Sequence, residues 1–402
     1  MEYPPIPHTA QLPVQKAAPP ICLTPLPDVL TSPPPLVPNS KSVYAFWDKG
    51  IHNLYPNVLR NVVAWHHRLS HLGWNIYVFD VVPDSPLNIT NFLDIADPNV
   101  VPDAFRDGTL SGEFKGQHLS DLIRFPLLLK YGGVYMDVGI MLFGDLEGLW
   151  TRHIMNPESP FDFAGFTFDL SQVSILSYLL ISNANNPLVA RAHHLLLKVW
   201  EGKTSTQGMH KDPLISHISF SNVPSEFDTN GDKAFSLESL LDYAIHMHVI
   251  RAAQSWVDEE DGWDGPQYVQ DRCYVLSMME YSHAHERLAS WNGELLHRLF
   301  LLPLPRHGKD ESEDQKLARQ ITEEVAGKAW CLKLGHEAVG KLSAFDSLGV
   351  CWRDKPGTDC VKGTYGGWLR WAEWNLGQNR LPDTVDIPMS KPSMKGRLLP
   401  RS

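Results

Sequence analysis

The chain has 402 residues, 43% of them apolar, and a formal net charge of −11. That length and composition can bury a large core, as two domains or as one enlarged α/β domain. The acidic balance excludes a nucleic-acid partner, which would need a basic face, and no apolar run approaches the 18 residues of a membrane span.

Residues 1–40 carry 12 of the 31 prolines, including Pro33-Pro34-Pro35. Such a stretch predicts an extended, mobile tail or a proline-rich ligand for a partner domain. The first residues lack a charged start followed by an apolar segment, so no secretory leader is expected. The five cysteines (Cys22, Cys273, Cys331, Cys351, Cys360) then suit reduced thiols in the cytoplasm, although Cys351 and Cys360 are close enough for a disulfide.

The folded domain, expected over 41–380, starts at the strand Ser42–Trp47. Pro56 suits a first helical turn. Val58, Leu59, Val62, Trp65, Leu69 and Leu72 recur at helical spacing until Gly73, and Trp74–Phe79 follows as a second strand. Strand, helix, strand opens a parallel α/β sheet. Trp47, at a strand end, is either a platform for a nucleotide base or a core tryptophan at the sheet edge.

The richest stretch is His118–Phe143. Leu119–Leu129 is apolar except for Ser120, Asp121 and Arg124, which predicts a helix buried on most sides. Asp121 and Arg124 are three apart and share a face. Gly132 offers a left-handed stop, and Gly133 turns the chain into a strand. There Tyr135, Asp137 and Gly139 face one side, with Val134, Met136 and Val138 on the other. A carboxylate in an apolar strand is costly unless it is paired, hydrogen-bonded or bound to a metal. A plain buried ion pair between Asp121 and Arg124 is the structural alternative.

Further on, strands are expected at Phe161–Phe166 and Ile175–Ser182, ending in Asn183-Ala184-Asn185-Asn186-Pro187, and a helix at Leu188–Trp200. Leu237–Val249 reads as helical. His246 and His248, two apart, diverge on it and would not share a metal. Asp258–Gly265 is acidic but lacks the spacing of an EF-hand loop, and reads as a solvated loop. After a polar stretch at His307–Glu324 comes Trp330–His336, and near the end Gly363–Arg370 combines glycines, hydroxyls and aromatics as a lid or as core. Residues 381–402 are basic and read as a flexible tail.

Ser120-Asp121-Leu122-Ile123-Arg124, followed by Lys130-Tyr131-Gly132-Gly133-Val134-Tyr135-Met136-Asp137, closely resembles the signature of GT-A-fold glycosyltransferases. These are the capsular-polysaccharide-synthesis family, here its fungal branch, the related yeast initiating α-1,6-mannosyltransferases, and the glucosylating clostridial toxins. The resemblance implies a Rossmann-like mixed sheet flanked by helices, with helical additions. It also implies retaining transfer of a hexose from a sugar nucleotide to a small-molecule or glycan acceptor. By resemblance, Asp137 and Arg124 carry the chemistry, while Trp47, Asp121, Arg124, Gly132, Gly133 and Asn183 border the donor. A divalent cation, Mn2+ or Mg2+, would sit on Asp137, with His336 reaching it from a segment similar to the family's Lys-Leu-Ser-His. The family pattern is Asp-x-Asp, however, and here it reads Asp137-Val138-Gly139. The missing acid implies that metal binding is weaker, differently liganded or absent, with Asp145 a possible substitute. It also leaves two alternatives: a scaffold turned to another small-molecule reaction such as cyclisation, and a protein that binds a donor without turnover.

Overall fold

The computed structural model describes residues 3–13, 25–168, 173–218, 236–305, 310–335, 345–378 and 380–400. Its centre is a six-stranded sheet of β1 (Ser42–Phe46), β2 (Asn75–Phe79), β3 (Gly133–Met136), β5 (Phe163–Thr167), β6 (Ile175–Ser182) and β7 (Cys273–Ser277), in the order β7-β5-β6-β3-β1-β2. Five strands run one way; β6 is antiparallel to both its neighbours. Beside it, β4 (Ile140–Leu142) pairs antiparallel with β8 (Cys331–Lys333), setting Lys333 opposite Ile140.

The strands are buried on both faces, and alternation assigns the side chains. Tyr44, Phe46, Tyr77, Phe79 and Tyr135 join one core with α2 (Lys115–Tyr131), α3 (Pro187–Trp200) and, after the short α4 (Leu237–Tyr243), α5 (Ile245–Gln254). Val43, Ala45, Ile76, Val78, Val134 and Met136 join the other with α1 (Pro56–Leu69). A third core gathers the C-terminal helices, among them α6 (Glu313–Gly327) and α7 (Tyr365–Asn375). This is the helix-flanked mixed sheet of a GT-A-like fold.

The double glycine is a steric necessity. Gly132 and Gly133 have φ of +63° and +96°. A Cβ on Gly132 would fall 2.6 Å from the Ala184 nitrogen, and one on Gly133 would fall 2.8 Å from the Ser42 carbonyl oxygen. No other residue lets α2 turn so directly into β3.

Both expected tails depart from the reading as mobile segments. Thr9–Gln11 pairs with Leu376–Gln378, and Ile6 and Leu30 are buried. Met394–Lys395 pairs with Trp256–Asp258, the Tyr274 hydroxyl donates to the Pro382 carbonyl, and Leu398 is buried. Free strand edges offer unpaired backbone groups, and scattered apolar residues fill gaps between helices, which anchors these described residues of the tails. The same pairing alters the acidic loop. Asp258 is buried and accepts from the Leu398 amide, although the loop around it is exposed. The Gly363–Arg370 element is core, not lid: Tyr365, Trp368 and Arg370 are all buried in α7. Cys273, Cys331, Cys351 and Cys360 are free thiols; Cys22 lies outside the described residues. No helix of the described residues is long and apolar enough to cross a membrane.

Candidate active site

A cavity of about 450 Å3 opens where β1 and β3 end at their carboxyl termini and the antiparallel β6 begins, the crevice in which open α/β sheets bind ligands. Its volume is in the range of small-molecule sites.

α2 supplies the floor. Arg124 lies 2.7 Å from Asp121 Oδ1, while His118 Nδ1 and His246 Nδ1 lie 3.2 and 3.0 Å from Oδ2. The acceptor carboxylate makes His118 Nδ1 a donor, and Nε2 lies 3.2 Å from the Thr206 hydroxyl. Burial alone would raise the Asp121 pKa. The pull of His246 and Arg124, with hydrogen bonds from His118 and His246, holds it well below the usual carboxylate range. Burial pushes His246 down, against the pull of Asp121. Arg124 is held on several sides: it donates to the Ser177 carbonyl at 2.8 Å and to Ser120 Oγ at 3.2 Å, and lies 4.6 Å over the Tyr135 ring, while its Nε has no partner among the described residues.

Asp137 stands just past the end of β3, its amide donating to the Tyr178 carbonyl at 2.9 Å. Its Oδ1 lies 3.8 Å from Arg124, and its Oδ2 accepts from Lys333 Nζ at 2.9 Å. Lys333 in turn lies 5.7 Å from the Tyr178 ring centre. The result is a row of alternating charges, Asp121–Arg124–Asp137–Lys333, running outward from the core. His283 also lines the cavity. Burial, together with His285 and Lys333, holds it well below the ordinary histidine value, so it is neutral at pH 7. Burial likewise pushes the Tyr178 phenol well up. Trp47 is at the rim, its indole donating to the Asn53 carbonyl and packing edge-on against Tyr55.

The structure thus brings Trp47, Asp121, Arg124 and Asp137 to one cavity and leaves three expected donor residues outside it. Gly132, Gly133 and Asn183 lie at the opposite end of the sheet, because Gly133 begins β3 and pairs with Ser182, the last residue of the reversed β6. The end of β6 that meets the cavity is its start, Leu176-Ser177-Tyr178. Asp145 is also elsewhere, capping the helix Leu146–Leu149 and pairing with Arg152 at 2.7 Å. His246 and His248 do diverge, yet His246 belongs to the site as a partner of Asp121, which spacing did not suggest. Lys333 had a legible signal: like Asp137, it is a lone charge in an apolar strand.

The groups around Asp137 do not suit a divalent cation. Hard cations take several oxygen ligands. Both Asp137 oxygens face cationic side chains, and Gly139 offers none. Among the described residues, no three His, Cys, Asp or Glu side chains gather to hold a metal. Two unit charges 4 Å apart repel by about 4 kcal/mol at an effective dielectric of ~20, so a divalent ion that near Lys333 meets about twice as much. His336 lies outside the described residues.

This fold and cavity define a glycosyltransferase of the GT-A-like class. The family described as capsular polysaccharide synthesis protein matches residues 31–222. The chain is 30% identical over 367 residues to glycosyltransferase afumC of Aspergillus fumigatus, covering 90% of each chain. It is 28% identical over 362 residues to O-glycosyltransferase braB of Annulohypoxylon truncatum, covering 89% of this chain and 84% of the relative. It is 29% identical over 360 residues to O-glycosyltransferase PaGT of Phomopsis amygdali, covering 87% and 85%. No solved structure matches. The chain belongs to the capsular polysaccharide synthesis family, among its fungal glycosyltransferases.

Proposed function

We propose that the chain transfers a hexose from a sugar nucleotide to a hydroxyl of a small molecule with an apolar body, in the cytoplasm and with retention of anomeric configuration. The observation that carries this reading is one cavity with two characters. The charged floor just described suits a diphosphate and sugar hydroxyls. The wall of Phe168, Leu176, Tyr243, Met247 and Met278 suits an apolar acceptor better than a glycan. The relatives named O-glycosyltransferases support oxygen as the accepting atom. Retention rests on the resemblance of the motif, and the cytoplasmic setting on the free thiols.

In this reading the base stacks on Trp47. Asp121, fixed by Arg124 and two histidines, keeps the floor rigid. Asp137 accepts a hydrogen bond from a donor hydroxyl. The bond between the anomeric carbon and the diphosphate oxygen breaks with its electron pair leaving on the diphosphate. The acceptor oxygen bonds to that carbon, and its proton passes to the departing diphosphate or to solvent.

The test is release of nucleoside diphosphate from a panel of UDP- and GDP-hexoses, for the wild type and Asp137→Asn. We expect the substitution to cut turnover of the preferred donor by ~10²–10³-fold, about 3–4 kcal/mol of transition-state stabilisation. Turnover within a few-fold of wild type would remove Asp137 from the mechanism, and no turnover of any donor by the wild type would sink the reading.

A further inference from the structure

We infer that Lys333 supplies, as a side chain, the positive charge that meets the donor diphosphate, so that transfer needs no metal ion. This rests on the sugar-nucleotide reading above and identifies the group that stabilises its leaving group.

The geometry places Lys333 for that role. Its ammonium is held 2.9 Å from Asp137 Oδ2 and lines the cavity. Its amide donates to the Ser282 carbonyl at 3.0 Å, and the next amide, of Leu334, donates to the Gly139 carbonyl at 2.8 Å. The strand carrying the lysine is therefore bonded to the residue that stands where the second acid of the family pattern would be. With Gly139 in place of that acid, the turn after β3 has lost a negative charge, and β8 brings a positive one to its neighbour. An ammonium has three donors; one goes to Asp137, and the others can reach phosphate oxygens.

The wider lining points the same way. In a chain of net charge −11, the cavity is lined by Lys49, Arg124, Lys333 and Arg353 against Asp48, Asp121 and Asp137. Arg124 is held by Asp121, Ser120 and the Ser177 carbonyl, with a side-chain exposure of 4% against 13% for Lys333. Of these two cations bordering Asp137, the lysine is the one open to a ligand. When the bond to the anomeric carbon breaks, the electron pair stays on the diphosphate and negative charge grows there. A fixed cation stabilises that charge in the transition state more than in the ground state.

The experiment is calorimetric titration of the full chain with UDP-glucose, GDP-mannose, UDP, GDP and the nucleosides uridine and guanosine, in EDTA and again in MnCl2, for wild type, Lys333→Met and Lys333→Arg. Thermal unfolding checks that each variant is folded. We expect the preferred nucleotide to bind wild type within about two-fold with or without manganese. Lys333→Met should weaken the diphosphate at least ten-fold while leaving the nucleoside unchanged, and Lys333→Arg should restore part of the loss. A merely structural lysine would weaken nucleoside and diphosphate together, and that result would overturn the inference. Binding that appears only with manganese would also overturn it while leaving the transferase reading intact. No binding of any sugar nucleotide in either buffer would overturn both.

Discussion

Two buried rows of charge lie in different parts of this molecule, and one of them lines the cavity described above. At the back, α1 and the C-terminal segment share Arg60, Asp359, Arg370 and Glu373. Asp359 takes Arg60 at 2.9 Å and Arg370 at 2.9 Å, and Arg370 also reaches Glu373 at 2.8 Å and Asn61 Oδ1 at 2.6 Å. The side chains of Asp359, Arg370 and Glu373 are 0% exposed. In the front row Asp121 and Arg124 are nearly sealed, whereas Asp137, at 28%, and Lys333, at 13%, are open to the cavity. Both rows alternate in sign, and both would look alike in a list of buried ions. The back row is sealed from solvent and ties α1 to the C-terminal segment; the front row ends on groups that line the cavity. Access, more than burial, separates a site from a rivet.

That contrast can be broken in several ways. The largest effect should come from the back. Asp359→Ala leaves two buried arginines short of a partner and should cost about 3–5 kcal/mol of stability, read from denaturant unfolding, while molecules that remain folded keep the wild-type affinity for a sugar nucleotide. If affinity falls instead while stability holds, the two rows have been assigned the wrong way round. At the front, Asp137→Asn and Lys333→Met should do the reverse, removing turnover or diphosphate binding from a protein whose unfolding midpoint barely moves. Trp47→Ala should weaken the sugar nucleotide by ~1–3 kcal/mol, the usual worth of a base stacked on an aromatic ring, and the nucleoside should lose as much. An unchanged affinity would return Trp47 to the sheet edge as a packing residue. The smallest effect is expected for Asn183→Ala, at the far end of the sheet. Turnover within about two-fold of wild type, the range of substitutions away from special features, is what its position requires; a larger loss would mean that the far end communicates with the cavity.

The sequence made the front row partly legible and the back row not at all. Asp121, Arg124 and Asp137 stood out because they are charges in elements whose periodicity demanded apolar residues. The strand order β1, α1, β2 followed from local pattern alone. Asn183 was misplaced because β6 runs backwards. Pattern reveals a strand without its direction, and in an antiparallel strand the residue after the end faces away from the crevice. Lys333 and His246 reach the site from 196 and 125 residues beyond Asp137 and Asp121, so their partners are set by tertiary packing. The back row depends on separations of about 300 residues, for which short-range spacing carries no signal.

The late arrival of those partners has a consequence for synthesis. Helix α1 is made early, yet Arg60, Asn61 and Arg68 all take partners from the last residues of the fold, beside the Val138 and Phe143 carbonyls that Asn61 and Arg68 also reach. Their partners are Asp359, Arg370 and the carbonyls of Glu373 and Leu376. Thr9–Gln11 likewise waits for Leu376–Gln378. A chain translated only as far as β7 therefore holds an α1 that still lacks those partners. These contacts of α1 and of Thr9–Gln11 can close only once residue 378 has been made, and those of Trp256–Asp258 wait for Met394–Leu398.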